Sequence, residues 1–437
     1  MRIAIFTDSY YPYTCGVTTA VDNQARALTE KGHDVLLFCP GYKDLKQSNK
    51  KNMEIVGLPM TYALPFYRGL DLTFPTAIKS IGYIQKFKPE IIHSQTEGGV
   101  GWEGQICAKV FRTPIISTIH TFFGDPGYLK HLRLDKSRIA QKMVWSYSVI
   151  FHNRSDLVIC PSNSMKAGAI EHGLKKQVKI ISNGIDLSEI QSNSVGKNIK
   201  GKYGLGEINL LYFGRISVEK SIDVLIEAFR VVLLSFPQTK LVIIGDGPYF
   251  RKLKSRIKEY QLDNNVVLTG RIQHEKLINS GIIKACDIFI SASKTENQPV
   301  SVMEAMAFGL PLVGVKKLGM AELIADKVNG FLCTPDDPVD IAKNIIEMIK
   351  DKNLREQMGF NSLKLIREHS LETTINQLTR TYTNILNKRK KIKKTKSIKY
   401  RYKKLRKRID ERLQYQKLEK RFIKFRRRYV NLFKKKN

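Results

Sequence analysis

The 437-residue sequence predicts two doubly wound α/β domains facing a cleft, followed by a basic helical tail. Three features predict this fold class. Short β-rich runs alternate with helical patterns, the alternation occurs twice with a break between, and the chain ends in a stretch dominated by positive charge. In the first set RIAIFTD, DVLLFCP, EIIHS, TPIISTIH, DLVICPS and VKIISNG read as strands of one parallel sheet. After the glycine- and lysine-rich SVGKNIKGKYGLGE come INLLYFGR, KLVIIGDG, VVLTGRI, CDIFISAS, PLVGV and GFLCT. Strands separated by helices pair in parallel, and such sheets stack helices on both faces. Between the first two strands of the second set, Ile222, Leu225, Ile226, Phe229 and Leu233 recur at helical spacing. The expected organisation is a first domain over 1–195, a second over 205–370, a helix over 371–387 returning toward the first, and a tail over 388–437.

Hydrophobic residues make up 42% of the chain, enough for two cores. The formal net charge of +34 is concentrated at one end: residues 388–437 hold 25 Lys or Arg against three acids, a net +22, which leaves +12 for the remainder. Six scattered cysteines without a C-x-x-C pair read as buried, reduced thiols of a cytoplasmic protein. The opening MRIAIFTDSYYP breaks its apolar run with an acid, so it reads as a first strand and not as a signal peptide. No segment approaches the ~18 apolar residues of a membrane span, so any membrane contact is expected to be peripheral.

In doubly wound sheets ligands gather beyond the carboxyl ends of the strands, and those ends carry the chemistry here. In SASKTENQPVSVMEAMAFGLPLVG a strand leads to a helix that begins at Pro299, buries Val302, Met303 and Met306, and stops at Gly309 and Pro311. Glu296 falls in the connecting loop and Glu304 inside the helix. The loop of Asn297, Gln298, Pro299 and Val300 lies at this helix start, whose unpaired N–H groups and positive end make it an anion seat. Two acids beside it repel a bare phosphate, but they accept hydrogen bonds from hydroxyls. A ligand bearing both, a nucleotide diphosphate sugar, satisfies the combination; two solvated glutamates on a surface helix are the bland account.

Arg215 and Lys220 follow the strand INLLYFGR, where a planar fork and a compact charge complement a pyrophosphate. Gly245-Asp246-Gly247-Pro248 reads as a tight structural turn, and Gly270-Arg271-Ile272 could flank a base. After the first strand, Gly16 opens a helix where a backbone N–H could approach a phosphate; a capping turn looks the same. His93 and His120 both end apolar strands, and the Gly/Pro-rich aromatic loop after His120 puts that residue at the rim of the cleft.

FGRISVEK, IGDGP, LTGRI and SASKTENQPVSVMEAMAFGLPLV, with TDSYYPYTCGV, STIHTF, PSNSMK and ISNGID in the same order, resemble the retaining glycosyltransferases of the GT-B fold, family four. PFYRG, KPEIIHSQTEGGVG and STIHTFFGDPGYLKHL look like the membrane-surface members that glucosylate diacylglycerol. The resemblance implies that Arg215 and Lys220 bind the donor pyrophosphate, Glu304 the ribose, Glu296 the hexose hydroxyls, Gly16 the phosphates, and that His120 contacts the sugar near the reacting carbon. It implies UDP-glucose as donor, diacylglycerol as acceptor, retention of configuration, and no metal or other cofactor. The only paired acids in a turn, Asp336 and Asp337 of TPDDP, are not a strand-end D-x-D. The chain departs from the family pattern at Cys15-Gly16, where Gly-Gly is common, and at Asn297-Gln298-Pro299, where an aromatic-glycine pair is common. Mannosyl transfer from GDP-mannose to phosphatidylinositol or to a sugar acceptor, and a degenerate fold that binds nucleic acid, are the rival readings.

In the tail Tyr402, Leu405, Ile409 and Leu413, then Leu418, Phe422, Phe425, Tyr429 and Leu432, form an apolar stripe among Lys and Arg. Such a helix suits an anionic membrane surface on the inner face of the cell membrane. RNA and a partner helix are the alternatives, and specific nucleic-acid binding is not expected. TYALPFYRGLDLTFP and the stretch from Lys130 to Tyr147 mix cations with apolar side chains and are the candidates for further membrane contact, or for packing under the domain.

Overall fold

The computed structural model describes residues 1–13, 15–45, 47–59, 61–63, 71–121, 124, 129, 136–191 and 199–391. The chain falls into two compact units, Met1–Arg380 and Thr381–Asn437. In the second unit residues 381–391 are described and helical; the expected amphipathic stripe of the tail lies outside the described residues.

The first half runs β1 (Arg2–Phe6), α1 (Gly16–Glu30), β2 (Asp34–Pro40), β3 (Met53–Leu58), β4 (Thr61–Ala63), β5 (Asp71–Thr73), α2 (Ile78–Phe87), β6 (Ile91–Ser94), α3 (Gly99–Phe111) and β7 (Ile115–Thr118). It continues with α4 (Arg138–His152), β8 (Leu157–Cys160), α5 (Asn163–Glu171), β9 (Val178–Ile180) and α6 (Leu187–Gln191). The second half runs α7 (Ile199–Tyr203), β10 (Asn209–Phe213), α8 (Ile222–Ser235), β11 (Lys240–Ile244), α9 (Phe250–Glu259), β12 (Val266–Gly270), α10 (His274–Asn279) and β13 (Ile288–Ser291). It ends in α11 (Val300–Ala307), β14 (Leu312–Val315), α12 (Met320–Leu323), β15 (Gly330–Cys333), α13 (Pro338–Lys350) and α14 (Lys352–Leu365).

Thirteen strands form two parallel sheets of the same winding, β3-β2-β1-β6-β7-β8-β9 and β12-β11-β10-β13-β14-β15, and β4 and β5 form a separate antiparallel pair. All twelve expected strands are present. β3 was not expected: Glu54 interrupts its apolar pattern because it is an edge strand with one side exposed. Parallel strands covered on both faces bury every residue, and the β10, β13 and β14 side chains are buried throughout. Ile226 and Phe229 of α8 pack beneath the second sheet with Ile341 and Ile345 of α13. Phe6 and Phe38 stack at 4.4 Å in the first core.

The winding reverses between β1 and β6 in one sheet and between β10 and β13 in the other. A crevice opens where neighbouring crossovers leave to opposite faces, so the loops after these four strands are where a ligand fits. They are the loops leading to Gly16, to Gln95 through Glu97, to Arg215 and Lys220, and to Glu296.

Candidate active site

α11 positions the acidic pair. Pro299 stands immediately before it and takes an extended backbone (φ −69°, ψ 118°). Gly309 ends it at φ +77°, a conformation that needs a residue without a Cβ, while Leu310 N–H closes back onto Ala305. Val302, Met303 and Met306 are buried as expected, and Glu304 lies buried one turn into the helix. Its carboxylate meets His274 Nε2 at 2.6 Å, at the start of α10. His274, in RIQHEK just past β12, was not singled out from the sequence.

Glu296 stands in the loop before α11, and its Oε1 lies 2.6 Å from Lys220 Nζ, with both side chains largely shielded from water. Lys220 ends a 3-10 turn, Val218–Lys220, that leads from β10 into α8. The two switch-point strands of the second sheet therefore place one acid against one cation. A partly shielded pair of this kind holds the Glu296 carboxylate in one orientation, as a hydroxyl acceptor must be. Arg215 is half-buried at the tip of β10, where its carbonyl accepts from Tyr212 Oη at 3.0 Å. The Gly245–Gly247 turn is structural, as expected: a Cβ at Gly245 would lie 1.9 Å from Gly214 O and one at Gly247 2.2 Å from Ile216 O. The Arg215 loop and this turn thus run backbone against backbone.

The first sheet meets this loop from the other side. A Cβ on Gly16 would stand 3.5 Å from Val300 Cγ2, so the first turns of α1 and α11 approach each other. A small cavity there is lined by Thr19 and Asn23 of α1, Ile185, His274, Val300 and Glu304. His120, partly buried beyond β7, offers its carbonyl to Asn297 Nδ2 at 3.2 Å, and its Nε2 lies 2.9 Å from Gln95 Oε1. Burial lowers its pKa to about 4 against the opposing pull of Glu97 and the Asn183 side chain, so the ring is neutral. Gln298 Oε1 accepts from Asn183 N–H at 2.7 Å. The loop from Asn297 to Val300 is therefore held by the first domain on three sides. His93, by contrast, is wholly buried and bonded to Thr118 Oγ1 at 2.7 Å, a structural histidine.

One expectation is corrected. Cys15 is exposed, not buried, because it precedes α1 at the open end of the first sheet; the other five cysteines are buried, and all six are free. Among the described residues, no three His, Cys, Asp or Glu side chains gather as ion ligands, and no helix is long and apolar enough to cross a membrane.

Comparison with known proteins assigns both halves. Residues 14–189 match the family model described as Glycosyltransferase Family 4, and residues 197–365 match Glycosyl transferases group 1. An alpha-monoglucosyldiacylglycerol synthase of Streptococcus pneumoniae is 31% identical over 358 residues, covering 80% of this chain and 78% of that protein. A protein of the same name from Acholeplasma laidlawii is 25% identical over 403 residues, 90% and 99% of the two chains. The structure of Anabaena HepE in complex with UDP-glucose superposes with a TM-score of 0.69 at 20% identity, over 88% of this chain and 100% of that one. With both halves matched in order and the two switch points built alike, the chain belongs to the glycosyltransferases of the GT-B fold, a family 4 domain followed by a group 1 domain.

Proposed function

We propose that the protein moves glucose from UDP-glucose to 1,2-diacylglycerol at a membrane surface, with retention of configuration and without a metal ion, giving an α-glucosyl diacylglycerol. The observation that carries this reading is the Lys220–Glu296 pair at 2.6 Å beside the start of α11. A cation for phosphate and an acid for sugar hydroxyls stand together at one strand tip, and nothing in packing alone calls for them there. Arg215 and Lys220 take the pyrophosphate, Glu304 the ribose hydroxyls, Glu296 the hexose hydroxyls, and the N–H groups of Asn297, Gln298, Val300 and Gly16 the remaining phosphate oxygens. His120 contacts the hexose near the reacting carbon.

When the bond from the anomeric carbon to the diphosphate oxygen breaks, negative charge grows on UDP. Lys220, Arg215 and the positive end of α11 lie where that charge develops, the placement that stabilises a transition state. The acceptor oxygen bonds to the anomeric carbon on the face UDP leaves, and its proton passes to a donor phosphate oxygen. The protein's share is positioning.

The lipid acceptor is supported by the two diacylglycerol-glucosylating relatives and by α4. Along that helix Ile139, Met143, Tyr147 and Ile150 are exposed at spacings of three and four, beside Lys136, Arg138 and Lys142. An apolar stripe flanked by cations suits the boundary between headgroups and acyl chains. Trp145 of the same helix is buried and stacked on His172 at 3.8 Å, so it anchors the opposite face. The test is transfer of labelled hexose from UDP-glucose, UDP-galactose and GDP-mannose into vesicles containing diacylglycerol or phosphatidylinositol. Glucosyl diacylglycerol from UDP-glucose alone is the expected product; mannosyl phosphatidylinositol, or transfer only to soluble sugars, overturns the reading.

A further inference from the structure

We propose that Gln24 and Gln95 are positioning residues for the transfer: a closed circuit of hydrogen bonds through them fixes the imidazole of His120 with its proton on Nε2 and ties the ring to the donor-side loop. The proposal rests on the reading above that His120 faces the transferred hexose.

The circuit has only one consistent polarity. The Asn183 carbonyl can only accept, so Gln24 turns its Nε2 to it at 3.0 Å and presents Oε1 to Gln95 Nε2 at 3.1 Å. The same Gln95 nitrogen reaches His93 Nδ1 at 3.4 Å, which leaves Gln95 Oε1 for His120 Nε2 at 2.9 Å. That nitrogen must therefore donate. His93, accepting at Nδ1, donates from Nε2 to Thr118 at 2.7 Å, which agrees with the same polarity. The return path crosses into the second domain: Asn183 N–H donates to Gln298 Oε1 at 2.7 Å, and Asn297 Nδ2 donates to the His120 carbonyl at 3.2 Å.

Gln24 and Gln95 are 5% and 1% exposed, so turning either amide leaves a buried group unpaired, which is costlier than the hydrogen bond it replaces. Glu97 and the Asn183 side chain favour the charged ring, while burial and His152 oppose it, and His93 lies on the far side of Gln95. With Nε2 committed to Gln95 and the Asn183 side chain also on the ring, the imidazole keeps one orientation. The circuit thus holds the ring beside the hexose and links it to the loop that carries Glu296. The two glutamines serve this without touching substrate.

The test uses the full chain carrying ¹⁵N-histidine, with the His120 signal identified by its loss in His120→Asn. The wild type should show the neutral form protonated at Nε2, and Gln95→Leu should shift it to a mixture of tautomers. Gln95→Glu keeps the shape and still accepts from Nε2, but its charge raises the His120 pKa. Its kcat/KM should therefore gain an acid limb, about tenfold lower near pH 6 than near pH 8, where the wild type is flat. Lost thermal stability alone does not create such a limb. An unchanged nitrogen signal in Gln95→Leu, or a Gln95→Glu profile parallel to wild type, overturns the circuit even if His120→Asn is inactive. A fully active His120→Asn protein overturns instead the assignment of His120 to the hexose, and the nitrogen signal then decides the circuit by itself.

Discussion

Glu296 and Lys220 neutralise each other before any donor arrives, and this shapes what each substitution should do. Replacing Glu296 by Ala frees the ammonium for phosphate, so UDP affinity measured by calorimetry should hold or rise slightly. The hexose loses its acceptor, and kcat should fall by about 10²–10³, the usual effect of removing one preorganised polar contact at a reacting centre. Turnover at the wild-type rate would remove Glu296 from the site. Lys220→Ala should do the reverse to binding: UDP affinity falls, and Glu296 is left part-buried without its cation. The histidines set the acid limit. Burial lowers His93 to about 3 and His120 to about 4. A histidine whose folded pKa is depressed holds back no stability above its unfolded value near 6.5 and draws unfolding forward as pH falls from there toward the folded value. The melting temperature should therefore fall between about pH 6.5 and 4. His93→Asn should flatten that slope even if it lowers the neutral-pH value; an unchanged slope would show that His93 does not drive it.

At the scale of elements, what could be read from the sequence followed from locality. The central strands are apolar runs because each lies between helices on both faces; the edge strands β9 and β12 are only partly buried, and β3 escaped notice because Glu54 breaks its pattern at an exposed edge. Glu296 and Glu304 were legible because a strand, a loop and a helix start occupy one short stretch; Arg215 and Lys220 were legible for the same reason. Gln24, Gln95, Asn183 and His274 were not. Their roles arise from contacts between segments 30 to 159 residues apart, and a lone Gln on an amphipathic helix carries no local mark of such a contact. The α4 stripe lies between these cases: mixed cations and apolar groups were visible, but the buried side of Trp145 was not. Because Ile139 and Met143 are 75% and 67% exposed, changing both to Ser removes apolar surface without opening a core. Each large apolar side chain is worth about 1.5–3 kcal/mol when fully withdrawn from water, so even partial insertion should cost at least about tenfold in vesicle partitioning. Transfer to a water-soluble acceptor analogue should be unaffected. Equal flotation of variant and wild type with diacylglycerol vesicles would take α4 off the membrane.

At the scale of the molecule, the two domains are tied where the donor loop is. Both oxygens of Glu322, on α12 of the second domain, accept N–H groups from the first turn of α5 in the first domain: Asn163 N at 2.7 Å and Ser164 N at 2.7 Å. These are groups a helix leaves unpaired at its start, and a carboxylate there also meets the positive end of the helix dipole. Three residues upstream, Gly319 N–H donates to the Glu296 carbonyl at 2.9 Å, and a Cβ at Gly319 would fall 1.8 Å from Asn297 O. One short segment thus holds the donor loop with its backbone and the opposite domain with its carboxylate. Glu322→Gln keeps one acceptor and should be mild. Glu322→Ala removes both and should cost about 1–2 kcal/mol of closure, the range for a charged cap in a partly shielded geometry. If the domains must be together for transfer, that shifts the closed population rather than the chemistry. The expected result is a larger radius of gyration by small-angle scattering and a several-fold fall in kcat/KM, with saturating UDP restoring the compact form. A Glu322→Ala protein as compact and active as wild type would mean that the Asn183–Gln298 and His120–Asn297 contacts hold the domains without it.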